Sequence, residues 1–85
     1  MKSSNKKYVE KYRIEMITAT FHQYVRNLPI SVLREFERIA EEESGKTVKT
    51  NFGCSHCVLK LVKQVGKIYF KDYPDEIPEE LKNRL

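Results

Sequence analysis

The sequence predicts an all-α fold: a small bundle of three main helices with a short C-terminal helix, built to self-associate. Three observations predict it. Apolar residues recur at the 3.6-residue helical period in three separate segments. Only three glycines and three prolines punctuate 85 residues, too few for a loop-rich chain. Lysine, glutamate and leucine, all good helix formers, are common.

Residues 1–7 read as a flexible basic arm and residues 8–85 as one helical domain. The first helix is expected from Tyr8 to about Leu28. Ile14, Ile17, Phe21, Tyr24, Val25 and Leu28 share one face at about 100° per residue. Tyr8, Val9, Tyr12, Met16 and Ala19 form a second arc. A helix apolar on two sides is either central in a bundle or shared with a partner. Residues 11–20 also alternate in the manner of a strand, with Tyr12, Ile14 and Met16 against Arg13 and Glu15, so a strand is the rival reading there.

Pro29 ends the first helix, because proline disfavours helical geometry in the residue before it. Ser31 reads as the N-cap of a second helix running to about Glu43, with Leu33, Phe36, Ile39 and Ala40 buried and Gly45 as its stop. The stretch "KTVKTNF" is a connector, briefly extended. The third helix spans Ser55 to Asp72. It carries Lys63, Lys67 and Lys71 within roughly 60° of Lys60 and a wide apolar arc opposite. Gly66 lies on that apolar arc. It costs the helix about 1 kcal/mol relative to alanine, which a close approach of another helix would explain. A turn follows at Pro74, and a short fourth helix starts at Pro78.

Net charge is +4 but unevenly placed. Residues 1–13 carry +4, 30–45 carry −3, 46–72 carry +5 and 73–85 carry −2. Such blocks attract one another within a bundle, or attract an external polyanion. No apolar run approaches the ~20 residues of a membrane span. The basic N-terminus lacks the apolar core of a secretory signal. Two cysteines three positions apart are not a secreted disulfide framework, and the reading is of a cytoplasmic protein with reduced thiols and no membrane partner.

Three constellations carry candidate chemistry. Cys54 and Cys57 stand where the third helix begins, a position that stabilises a thiolate. A redox dithiol normally follows a strand, and none is evident before Cys54. Structural zinc needs four ligands. Cys54, Cys57 and His22 supply three, so a metal-stapled module would need a second chain, and His56 projects away from Cys57. The favoured reading is two small residues packing at a helix start, with no cofactor.

The lysine face, with Lys46 and Lys49 just upstream, is the second constellation. It can track a phosphate backbone, as a nucleic-acid or nucleotide binder would. It lacks the arginine fork that reads base edges and the aromatics that stack single strands. The third is the set of Tyr8 and Tyr12 beside basic residues, which suits an interface. Together with Val62, Val65, Gly66 and Tyr69 it makes the expected contact surface with a second copy.

Catalytic signatures are missing. The glycines stand alone at Gly45, Gly53 and Gly66, so no phosphate loop forms. No serine lies in a Gly-x-Ser-x-Gly elbow. The glutamates cluster without an apolar pocket to raise their pKa. The chain is expected not to be an enzyme.

The stretch "NFGCSHCVLKLVKQVGKIYF", about a quarter of the chain, resembles Asn-x-x-Cys-x-x-Cys-hydrophobic-Leu-Leu-Lys segments of small phage-encoded proteins. The resemblance implies a phage accessory protein that binds and modulates a host or virion protein, in the host cytoplasm. It transfers no functional residues. The sequence therefore predicts a small interaction protein acting through self-association or another protein. A lysine-face nucleic-acid binder and a zinc-stapled module are the alternatives.

Overall fold

A computed structural model describes residues 1–84; Leu85, the end of the predicted domain, lies outside them. The fold is all-α. Helix α1 spans Ser3–Val9, a 3-10 turn covers Glu10–Tyr12, and α2 spans Arg13–His22. Helix α3 spans Ile30–Ser44 and α4 spans Ser55–Asp72. Two 3-10 segments, Pro74–Glu76 and Glu79–Arg84, close the chain. No strand occurs among the described residues, so the alternation at residues 11–20 does not produce one. No described helix is long and apolar enough to cross a membrane.

Helix α4 is the centre, packing against α2 and against α3. Its Val62, Val65 and Tyr69 are completely buried. Gly66 is where α2 comes closest. A Cβ built there would stand 2.5 Å from Thr20 Oγ1 and 3.4 Å from Met16 Cβ and the Met16 carbonyl. The close approach expected at Gly66 is therefore made by α2 of the same chain. The residues predicted to meet a second copy, Val62, Val65, Gly66 and Tyr69, are taken up by this packing. The cover comes from α2 and from the C-terminal segment, whose Ile77 and Leu81 are buried in the same core. Tyr8 and Tyr12, the other predicted interface residues, are half-buried. Their rings lie 6.4 and 5.8 Å from that of Phe36, both edge-on, and so tie the first segment to α3.

The radius of gyration is 11.9 Å. A compact chain of this length has about 12 Å, so no arm protrudes. Residues 1–7, read as a flexible arm, are instead helical from Ser3, and Asn5 is completely buried. The reason is tertiary. Asn5 Nδ2 donates to Glu42 Oε1 at 2.7 Å and Glu43 Oε2 at 2.8 Å. Arg38 Nη2 donates to Asn5 Oδ1 at 3.0 Å. The Lys2 amide reaches Glu43 at 3.0 Å and Lys2 Nζ pairs with Glu42 at 2.8 Å. The Met1 amine is paired with Asp72 and lies 3.7 Å from Glu43.

The first long helix also ends early. Gln23 adopts a left-handed conformation (φ 57°), stopping α2 six residues before Pro29. Gln23 Oε1 accepts from Lys63 Nζ at 2.8 Å, a contact that favours this geometry in a residue other than glycine. Val25 and Leu28 still pack on the core, but from an extended crossover. Helix α3 starts at Ile30 with Pro29 as its N-cap, and Ser31 makes no capping bond. The Val32 and Leu33 amides bond instead to the Pro29 carbonyl. Gly45 (φ 72°) ends α3 as its sequence predicts. The fourth helix expected at Pro78 is a 3-10 segment.

Alanine at position 66 should therefore lower the melting temperature. The overpacking against Thr20 costs about 1–3 kcal/mol and exceeds the ~1 kcal/mol gain in helix propensity. The double variant Gly66→Ala/Thr20→Ala should melt at or above the parent, because Oγ1 is gone and the propensity gain remains. Thermal melts of both variants check this.

Glu42 gives a pH signature. Donation from Lys2, then from Asn5 and Arg38, brings its carboxyl from 4.5 down to about 2. Burial pushes Glu43 up, but the Lys2 amide and Asn5 outweigh it and leave it lowered. A lowered carboxylate stabilises the fold above its unfolded pKa, and that contribution disappears as pH falls through the folded value. Glu42→Gln should be less stable than the parent at pH 6, and the gap should shrink steadily between pH 4.5 and 2. Melting curves across that range test it.

Candidate functional site

A surface depression of about 980 Å³ lies between α4 and the connector after α3. One wall is α4 from Cys57 to Ile68; the other is residues 44–51. The position of the connector explains why a groove exists at all. Residues 47–51 have no regular structure, yet every second amide is held from α3. The Lys46 amide donates to Ser44 Oγ at 3.3 Å, Val48 to Glu41 Oε1 at 2.9 Å and Thr50 to Glu37 Oε2 at 2.7 Å. The spacings match. Residues four apart on a helix are separated by about 6 Å along its axis, and alternate residues of an extended chain by about 6.6 Å. A helical row of carboxylates thus does for this segment what a neighbouring strand does in a sheet. Glu37 and Glu41 are correspondingly half-buried rather than on a solvated face.

Lys46 and Lys49 are exposed at the groove. Across from them stand Lys60, Lys63 and Lys67 of α4. Five lysines line the depression and no aspartate or glutamate does. None of the five makes an ion pair among the described residues. Lys63 alone has a side-chain partner, the neutral Gln23 amide. Lys71, the fourth member of the predicted stripe, is exposed but beyond the groove. The aliphatic part of the lining is Val48 and Ile68, both half-buried, and Leu61, 2% exposed; Thr47, Thr50, Asn51 and Gln64 add uncharged polar groups. None of the nine aromatic residues takes part.

The cysteines sit at one end of this groove. Cys54 is the N-cap of α4, and its Sγ accepts from the Cys57 amide at 3.2 Å. Hydrogen bonds from the Cys57 thiol and from the Cys57 and His56 amides lower the Cys54 thiol, while Cys54, followed by burial, raises Cys57. Both thiols are free and half-buried, so they are a cap and a groove wall rather than interior packing. His22 is exposed at the end of α2. Among the described residues no group of three or more His, Cys, Asp or Glu is placed to hold a metal, and the predicted set Cys54, Cys57 and His22 is not brought together.

A smaller depression of about 300 Å³ lies between the 24–29 crossover and the start of α4, lined by Val25, Leu28, Ile30, Leu33, Phe52 and Val58 among others. Ile30 there is 56% exposed.

Half of the lysine groove is legible in the α4 periodicity. The other half rests on the Glu37 and Glu41 bonds. The signal for it is the four-residue spacing of those glutamates followed by the β-branched alternation in "KTVKT". Comparison with family models, with curated proteins and with solved structures finds no match for this chain.

Removing one tether tests the construction of the groove. A hydrogen bond to a charged acceptor contributes about 1.5–3 kcal/mol. In Glu37→Ala the Thr50 amide should exchange its hydrogen about tenfold faster or more. Amides in the middle of α4 should be unaffected. Hydrogen–deuterium exchange read residue by residue by NMR measures both.

Proposed function

We propose that this chain is a small non-enzymatic interaction protein and that its working surface is the groove between α4 and the connector, which captures an anionic macromolecule. One observation carries the reading: five lysines line a single depression with no carboxylate among them. Like charges brought together cost stability unless something else holds them. Here the two walls are held by Glu37, Glu41 and the core, so the field of the groove is left for a partner.

Self-association receives less support. Of the apolar residues that suggested it, Val62, Val65, Gly66 and Tyr69 lie inside the single chain, whereas Ile14 and Tyr24 are exposed. The other acidic cluster, on α3, is engaged with Lys2, Asn5, Arg38 and the connector amides. The α3 carboxylates of a second copy are therefore already engaged within their own chain. The phage resemblance supplies a setting for this reading, an accessory protein acting on a host or virion component.

Retention on an immobilised sulfated polysaccharide tests the proposal. Lys60→Gln/Lys63→Gln/Lys67→Gln should elute at clearly lower salt than Lys7→Gln/Lys11→Gln/Lys71→Gln, which removes the same charge from exposed positions outside the groove. Equal elution of the two variants would assign the retention to net charge and remove the groove as the site.

A further inference from the structure

Resting on that reading of the groove, we infer that its partner is an acidic amphipathic helix of another protein rather than a nucleic acid. The inference comes from the shape and the lining taken together. Cys57 to Ile68 spans about 16 Å of helix axis, three turns. A depression of about 980 Å³ over that length has a mean section of about 60 Å². A helix with its side chains is about 10 Å across, or about 80 Å² in section. The groove thus seats one flank of a three-turn helix and leaves the other in water.

The chemistry selects the flank. The exposed aliphatic surface of Val48 and Ile68, over Leu61, runs between two rows of ammonium groups. A helix whose apolar residues repeat at three- and four-residue spacing covers the aliphatic strip. Glutamates or aspartates bordering that stripe then meet Lys60, Lys63 and Lys67 on one side and Lys46 and Lys49 on the other. A duplex offers phosphates to the lysines but nothing to the aliphatic strip. A single strand binds through base stacking on aromatic side chains, and none lines the groove. Lysine in place of arginine also gives charge without a base-reading fork. The helix α3 of a second copy does not fit, because its carboxylates already accept hydrogen bonds within their own chain.

The test compares three probes on the whole protein by fluorescence anisotropy. The first is a designed peptide of about 12 residues, three helical turns, with leucines on one face and glutamates beside them. The second is a scrambled peptide of the same composition with no continuous apolar face. The third is a DNA oligonucleotide of matched charge, single-stranded and as a duplex. The designed peptide should bind about tenfold more tightly than the scrambled one, the worth of one or two aliphatic side chains covered. Val48→Ser/Ile68→Ser should remove that advantage and leave the scrambled peptide unchanged. Both positions are half-buried, and a melting curve establishes that the variant folds. If it does not, the comparison of the peptides on the parent protein still decides.

Equal binding of the scrambled peptide, or tighter binding of either DNA, would overturn the helix assignment while leaving the anionic groove standing. Failure of every probe to bind would remove both.

Discussion

The carboxylates of α3 hold the N-terminal segment and the connector, and the rest of the architecture depends on that row. Toward the C-terminal end of the helix, Glu42 and Glu43 take donors from Lys2 and Asn5. One residue and about one and a half turns earlier, Glu41 and Glu37 take the amides of Val48 and Thr50. Arg38 lies among them, bonded to Asn5 and paired with Glu35 and Glu42. A charged acceptor facing a backbone N–H makes a stronger bond than a neutral one. These bonds add to the few apolar contacts, Val9 and Val48 among them, by which the two segments reach the core.

A separation of charge follows. The negative residues of α3 turn toward their own chain and are largely matched there. The positive residues of the connector and α4 make no ion pair among the described residues. A basic composition would otherwise be spread over the surface as a weak, screened field. Here it is concentrated in one concave place, where low-dielectric walls focus it. The aliphatic lining is part of the same outcome. Lysine stems border Val48 and Ile68, and burying such a stem keeps its charged end in water.

How much of this is legible in the sequence differs from element to element. The limits of α4 and the stop at Gly45 are readable, because amphipathic period and glycine geometry are local properties. Gly66 is readable as a close approach, though the sequence does not say which helix approaches. The end of α2 at Gln23 is not, since glutamine carries no turn signal and the contact that favours it comes from Lys63, forty residues away. The helical character of residues 3–9 is hidden for the same reason. Asn5 looks like a solvated residue until Glu42 and Glu43 are placed beside it. Ser31 misleads because it is a good N-cap, while the chain geometry set by Pro29 places the start of α3 before it. Of the groove, the lysines at 60, 63 and 67 are readable as one face. The opposite wall depends on glutamates that composition alone marks as solvent-facing.

The two walls of the groove are unequal in construction. One is a continuous helix in which each amide after Cys57 is bonded within the backbone itself. The other is a short extended segment whose inward amides hang on two flexible carboxylate side chains and a serine. The first wall keeps its lysines at a fixed pitch, so on the proposed reading it sets where along its axis a partner aligns. The second can move in or out by small changes of side-chain rotamer. Selection by such a site is directional. It is strict about the register of charge along the length of a partner and permissive about its girth. One groove of this kind can therefore accommodate a family of occupants that share a rhythm rather than a sequence.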